Sequence, residues 1–348
     1  MSGEACVNPV SRPGVARGPA RPTIPSKSIL VVGLPRSGTT WIGKIFDSHP
    51  RTLYLHEPDS AVPMKGIPLI ADSIAPGVDP IRIQDVLAHT VNVRLARVAG
   101  VLPTFPKSYR TTVRDWSHRW LTVGAKVCSR FVGELNVPDL FVESPQNPVR
   151  LVWKSIESIG RTGLLARLMP DCRIIHIVRH PCGWIDSQSR GHREKRFSSD
   201  DRKDWWRFDM LEATSPARSR GLTAASFRNN MSDLERDAWS WVLWNEIAAE
   251  ASEGLMNVMT VLYEDVCSAP IDQSRRMFDF AGLDWDPQSE AFVTRSVSTH
   301  RDEYYSVFRD PSIAANKWRQ TVPLEDVQVV ESIMRQSKIG RMFLAPSH

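Results

Sequence analysis

The sequence predicts an α/β fold: a P-loop-like parallel β-sheet with helices on both faces. Three observations predict it. The stretch SILVVGLPRSGTTWIGKIFDSHP, Ser28 to Pro50, reads strand, glycine loop, helix. A second strong apolar run, CRIIHIVRH from Cys172 to His180, is followed at once by a proline and a helical pattern. Between and beyond these, strand-like and helix-like segments alternate, as parallel βαβ units require.

Each element follows in turn. Residues 1 to 27 are rich in Pro, Gly and Arg, so they are read as a flexible basic tail ahead of a single domain over 28 to 348. The β-branched run Ile29 to Val32 is a buried strand. Gly33 and Gly38 bracket a tight turn, and Trp41 to Phe46 continues as a helix. TLYLHEP, Thr52 to Pro58, is a short strand stopped by its proline. Helical patterns follow around Ile83 to Val98 and Tyr109 to Val123. LFVES (Leu140 to Ser144) and LVWKS (Leu151 to Ser155) bracket a proline-containing connection, and a helix near Arg161 to Leu168 precedes the 172–180 strand. The segment from Gly191 to Asn230 is dense in Arg, Asp, Ser and Trp without a clean period, and is read as a mobile surface excursion. A long amphipathic helix spans about Asp233 to Ala251, with Trp241 and Trp244 on or near its buried face. NVMTVLYED, Asn257 to Asp265, is a further strand, and Ile271 to Ala281 a further helix.

Composition bounds the class. The chain has 348 residues, 42% hydrophobic and 24% charged, which is ordinary for a globular protein. A formal net charge of +5 suits an anionic ligand without demanding one, and nothing calls for a nucleic-acid partner. No apolar run approaches the roughly 20 residues of a membrane span, and no secretory h-region opens the chain. Five scattered cysteines (Cys6, Cys128, Cys172, Cys182, Cys267) argue for a reducing, cytoplasmic setting and against a disulfide framework or zinc site. His176 and His180 lack a surrounding carboxylate motif and are read as structural.

The glycine loop departs from the Walker pattern, which wants Lys and then Ser or Thr after its second glycine. Here Thr39 and Thr40 follow Gly38. Backbone amides and the helix N-terminus still make an anion site. Ser37, Thr39 and Thr40 add hydroxyls, and Arg36 supplies the positive charge inside the loop. The 172–180 strand ends in Arg179-His180-Pro181 rather than in the Asp that completes a magnesium shell. Both departures point to a donor with fewer phosphates and no metal.

PRSGTTW, Pro35 to Trp41, closely resembles the 5′-phosphosulfate loop of sulfotransferases that use 3′-phosphoadenylyl sulfate (PAPS). That resemblance implies that Arg36, Ser37, Gly38, Thr39, Thr40 and Trp41 bind the phosphate and sulfonate of the donor. A second family signature is an Arg, after a strand, with a Ser eight residues on; VRHPCGWIDSQSRG supplies Arg179 and Ser187. By resemblance they hold the donor's 3′-phosphate, a dianion well suited to the guanidinium fork. VLYEDVCSAP resembles a late fold-defining segment, so Glu264 and Asp265 are expected to be caps or structural pairs. YSVFRDPSIAANKWRQTV, Tyr305 to Val322, resembles a loop closing over the cofactor, implying that Lys317 and Arg319 meet its 3′-phosphate end while Trp318 packs near the adenine or the loop.

The resemblance implies sulfuryl transfer from PAPS to a hydroxyl or amine by in-line displacement, leaving adenosine 3′,5′-bisphosphate. The acceptor is expected to be a carbohydrate or other small molecule, bound by helical and loop excursions within 59–136 and 191–230. Its proton needs a base. His56 and Glu57 are adjacent near a strand end, so alternation puts them on opposite faces and only one can face the sulfonate. Carbohydrate-type members often carry Glu-Pro here, which favours Glu57, with His56 as the alternative. Lys154, ending LVWK, could touch the bridging oxygen or the acceptor. Two other functions stay open: a divergent P-loop kinase or NTPase, and a PAPS-binding protein without turnover.

Overall fold

The structure is a computed structural model that describes residues 27–71, 79–137, 149–193, 205–298 and 311–344. The basic tail and the LFVES run lie outside these residues.

Five strands form one sheet: β1 (Ile29–Val32), β2 (Thr52–His56), β3 (Arg150–Ser155), β4 (Arg173–Val178) and β5 (Val258–Leu262). All neighbours pair parallel, in the order β2-β3-β1-β4-β5. The central strand β1 sets Ile29 opposite Val152 on one side and Arg173 on the other. Its four residues are all buried, with Ile29 and Val31 entering one core and Leu30 and Val32 the other. A strand covered on both faces reads as an unbroken apolar run, as this one does.

The helices follow from the crossovers that parallel strands demand. α1 (Thr39–Asp47) leaves β1. α2 (Pro58–Ala61), α3 (Pro80–Val91), α4 (Ala96–Ala99) and α5 (Thr112–Val132) lie between β2 and β3. α6 (Thr162–Leu168) joins β3 to β4, and α7 (Pro181–Arg193) leaves β4. α8 (Trp205–Glu212), α9 (Ser215–Arg218), α10 (Ala224–Asn229) and α11 (Asp233–Ala251) lead to β5. Beyond it come α12 (Tyr263–Ser268), α13 (Pro270–Ala281), α14 (Pro287–Ser298), α15 (Pro311–Asn316), α16 (Trp318–Thr321), α17 (Leu324–Met334) and α18 (Lys338–Arg341). α1, α13 and α14 cover one face of the sheet, where Phe46 stacks on Phe278 with ring centroids 5.2 Å apart. α6, α7, α11 and α17 cover the other. Trp241 and Trp244 of α11 are buried as the periodicity predicts, and a Ser232–Glu235 capping box fixes the helix start.

Several boundaries differ from expectation. The 83–98 pattern is two helices, α3 stopping at Val91 and α4 starting at Ala96, because Leu95 turns aside to bridge Asn136. α5 starts at Thr112, where the Thr111 hydroxyl accepts the Arg114 N–H, and runs on to Val132 before Gly133. The strand expected to reach Asp265 ends at Leu262, and Tyr263 opens α12. The 191–230 excursion contains α8, α9 and α10. Its buried residues Leu211, Ala217 and Phe227 fall on three separate short helices and Leu222 on the connection between two of them, so they show no common period. Residues 194–204 lie outside the described chain. Of the expected 305–322 loop, Pro311–Asn316 and Trp318–Thr321 are helical, and 305–310 lie outside the described residues.

A buried ionic cluster braces β2's side of the molecule. Lys44 Nζ donates to Asp47 Oδ2 at 2.7 Å and to the Pro103 carbonyl at 2.9 Å. Lys107 Nζ donates to Asp47 Oδ1 at 3.0 Å and to the His49 carbonyl at 3.2 Å. The segment before α5 is thereby tied to the end of α1.

Candidate active site

The loop after β1 is shaped by close approaches. A Cβ at Gly33 would stand 2.5 Å from the Ile177 carbonyl oxygen, so only glycine lets the loop pass β4. Arg36 and Gly38 take left-handed conformations, φ 71° and 87°. For Arg36 that conformation is uncommon and marks a locally enforced turn. A Cβ at Gly38 would fall 2.3 Å from the Tyr263 ring. The first ladder bond of α1 runs from Ile42 N–H to Gly38 O at 3.2 Å. The amides of Thr39, Thr40 and Trp41 therefore precede the ladder at the helix's positive end.

The second motif closes on this loop. Arg36 Nε donates to Ser187 Oγ at 3.1 Å, and Arg179 Nη1 donates to the Arg36 carbonyl at 3.0 Å. Trp184 Nε1 donates to the Pro35 carbonyl at 2.7 Å, a third staple between α7 and the loop. The Arg179 guanidinium lies over the Tyr263 ring, 5.1 Å from its centroid, and the Arg179 carbonyl accepts Trp241 Nε1 at 3.0 Å. Glu264 Oε1 accepts the His180 N–H at 3.0 Å, the structural pairing expected of that residue. Its Oε2 is buried without a hydrogen-bond partner. Burial pushes the Glu264 carboxyl up to about 7. His176 is likewise structural, bonded through Nε2 to Asn245 Oδ1 at 3.2 Å.

The base candidates stand across the sheet. Lys154 is in register with Val31 on one side and His56 on the other, and its ammonium pairs with Glu57 Oε1. His56 Nε2 lies 3.7 Å from the same oxygen, and its Nδ1 is 3.0 Å from the Tyr54 hydroxyl. His56 and Glu57 are thus brought together, not set on opposite faces as strand alternation predicts. The reason is local: β2 ends at His56, and Glu57 turns left-handed at φ 49° to start α2. Burial, then the Lys154 charge, holds the His56 imidazole well below its ordinary range. Burial likewise lowers Lys154, and Arg36 adds to that shift, so the lysine feels both the loop and Glu57. Behind them, buried Asp59 Oδ2 accepts from Ser155 Oγ at 2.5 Å and Ser158 Oγ at 2.6 Å, fastening α2 to the end of β3.

The C-terminal residues divide. Trp318 is buried and stacks on His180, with centroids 4.4 Å apart and planes 11° from parallel. Arg319 covers the outer face of Trp318 at 4.7 Å and donates through Nε to Asn316 Oδ1 at 3.2 Å. Lys317 is exposed at the start of α16. The indole of Trp41 is committed to the core, its Nε1 donating to Ser296 Oγ at 3.0 Å, so what it offers the loop is its backbone amide. Sequence reasoning missed Tyr263 as the ring beneath both Gly38 and Arg179, and Trp184 as the staple. Trp184 carried a faint signal, being a tryptophan three residues into the helix of the Arg179–Ser187 motif.

Two guanidiniums, the Ser187 hydroxyl and the helix N-terminus that opens at Thr39 and Thr40 converge at the carboxyl ends of β1 and β4. The strand order reverses direction there, which defines an open α/β protein with a crevice at its topological switch point, the place where such folds receive ligands. Residues 28–287 match the model of the Sulfotransferase family, and the chain belongs to that family. Among curated relatives, carbohydrate sulfotransferase 3 of Mus musculus is 24% identical over 333 residues, 88% of this chain. The Homo sapiens protein of that name is 23% identical over 344 residues, 90% of this chain. The chain spans 66% of the length of each, just under two thirds. Carbohydrate sulfotransferase 1 of Mus musculus is 21% identical, covering 88% of this chain and 77% of that one. A solved sulfotransferase domain from the curacin biosynthetic pathway is 15% identical with a TM-score of 0.39, covering 89% of this chain and 97% of that one.

Proposed function

We propose that this chain transfers the sulfuryl group of PAPS to a hydroxyl or amine of a carbohydrate or other small-molecule acceptor. The observation that carries this is the closure of Arg36, Arg179 and Ser187 on one another from distant parts of the chain. Family membership and the names of the carbohydrate sulfotransferase relatives support it. The groups present fit such a donor, since guanidiniums, hydroxyls and helix amides all donate to phosphate and sulfonate oxygens.

When bound, the donor supplies an activated sulfuryl group on a phosphate leaving group. The loop amides and Arg36 hold that end, while Arg179 and Ser187 hold the 3′-phosphate. Glu57 accepts the acceptor's proton at its carboxylate. Lys154 orients Glu57 and keeps positive charge between base and loop. His56, held neutral by its burial and weak as a base, packs beside them. Trp318 and Arg319 close the site over His180, and Lys317 flanks them at the surface. Among the described residues Cys128, Cys172, Cys182 and Cys267 form no disulfide, which supports a cytoplasmic location.

Calorimetry tests the donor site. Adenosine 3′,5′-bisphosphate should bind in the presence of a chelator, and adenosine 5′-phosphate and ATP far more weakly. Arg179→Ala should cost about 2–5 kcal/mol of bisphosphate binding. Equal affinity for the two adenosine nucleotides would remove the 3′-phosphate assignment. Turnover is then read with labelled PAPS against a panel of sugars, phenols and amines.

A further inference from the structure

Helix α5 is packed the wrong way round for a helix of a globular protein. An amphipathic helix ordinarily turns its apolar stripe to the core. On α5 the inward residues are polar: His118 and Thr122 are buried. Thr122 approaches α4 so closely that a Cβ at Gly100 would lie 2.6 Å from its methyl group. The outward residues are apolar. Val113, Trp116, Trp120, Val127 and Phe131 are 73, 65, 59, 51 and 82% exposed. Their spacings of three, four, seven and four residues place them in one stripe. Trp116 and Trp120 meet edge to face, with centroids 6.0 Å apart, forming a continuous aromatic ridge. A contiguous exposed patch of this kind marks an interaction surface.

Charge says what covers it. α5 carries Arg114, Arg119, Lys126 and Arg130 against a single acid, Asp115. That acid is already engaged, accepting the Lys107 N–H at 2.9 Å and facing Arg110 Nη1 at 3.5 Å. Arg114 and Arg119 are exposed and flank the stripe on either side. Two copies of this face set together would oppose arginine to arginine, which disfavours a second copy as the occupant. Tryptophan and phenylalanine between basic residues suit the boundary between anionic headgroups and acyl chains. No helix among the described residues is long and apolar enough to cross a membrane, so the contact is peripheral.

We propose that α5 docks on an anionic lipid surface, with Trp116, Trp120 and Phe131 entering the headgroup boundary and Arg114 and Arg119 meeting lipid phosphates. This stands apart from the reaction proposed above. Because α5 packs on α4, and α4 on β2, the docking face lies on the sheet edge that ends at Glu57.

The test is co-sedimentation of the full chain with vesicles of phosphatidylcholine alone or mixed with phosphatidylserine. The wild type should pellet with the mixed vesicles and remain in solution with the neutral ones. Arg114→Gln with Arg119→Gln should weaken binding roughly thirtyfold. Trp116→Ser with Trp120→Ser should weaken it as strongly, with an unchanged circular dichroism spectrum and unchanged bisphosphate binding. No pelleting with either vesicle overturns the proposal, as does pelleting that both double variants retain. Equal binding to neutral vesicles overturns the role of the arginines. A wild-type dimer in sedimentation velocity that Trp116→Ser with Trp120→Ser dissociates, without vesicle binding, makes the face a self-interface and overturns the lipid proposal.

Discussion

Glu57 and Glu264 are two carboxyl groups a few side chains from the same loop, and their surroundings give them different work. Glu57 is partly open and paired with Lys154, which suits the proposed role of base. Glu57→Gln should lower the sulfuryl-transfer rate by about 10²–10⁴ while leaving bisphosphate affinity nearly unchanged. His56→Asn should keep most of the rate, and the reverse pattern in labelled transfer assays would exchange their roles. Glu264 is shut away from water, which moves its carboxyl from the ordinary 4.5 to about 7. Between those values the folded chain holds a proton that the unfolded chain has released, so stability falls as pH rises through that window. The cost on passing from below pH 4.5 to above pH 7 is about 2–4 kcal/mol. Glu264→Gln should flatten this part of the pH–stability curve, measured by denaturant titration at several pH values. Arg36, Arg179 and Ser187 were legible in the sequence because their spacing within each motif is local. Glu264 was legible only as a structural pair, since its partner His180 is distant in the chain and its burial depends on the whole fold.

At the scale of elements, the junction between loop, α1 and α12 is the tightest fit at the site. Gly38 needs its left-handed backbone and the absence of a side chain together, because the Tyr263 ring fills the space beside it. Gly38→Ala should destabilise the protein by about 1–3 kcal/mol and weaken bisphosphate binding, seen as a lower Tm and in calorimetry. The strand–loop–helix element itself was plain in the sequence, because a fully buried strand and a glycine turn leave a strong local pattern. The helices α8 to α10 were not, since each is too short to show a period. The end of β5 was misplaced for a related reason: Tyr263 and Val266 are buried from a helix, and apolar residues there extend the strand's own run. The turn at Glu57 escaped notice because nothing in a His-Glu-Pro tripeptide announces a left-handed residue.

For the whole molecule, parallel order and helices on both faces could be read from alternation alone, but the strand order could not. It is fixed by crossovers whose handedness and reach are tertiary facts. The buried Lys44–Asp47–Lys107 cluster was equally invisible as a cluster, since Lys44 and Asp47 share α1 but Lys107 comes from a segment some sixty residues on and the burial of all three is a tertiary fact. Asp47→Ala leaves two buried ammonium groups without their shared carboxylate and should cost about 3–5 kcal/mol, measured as a shifted urea midpoint at constant m. The sheet's order has a further consequence, for the chain's birth. β1 is made early, yet its two neighbours are Val152 and its flanking residues on one side and Arg173 and its flanking residues on the other. At ordinary synthesis speeds the central strand waits roughly 6–30 s before both partners exist. During that interval its unpaired backbone and apolar run are open to chaperones or to other nascent chains, and ribosome-bound lengths ending before β4 should be protease-sensitive at Ile29 to Val32.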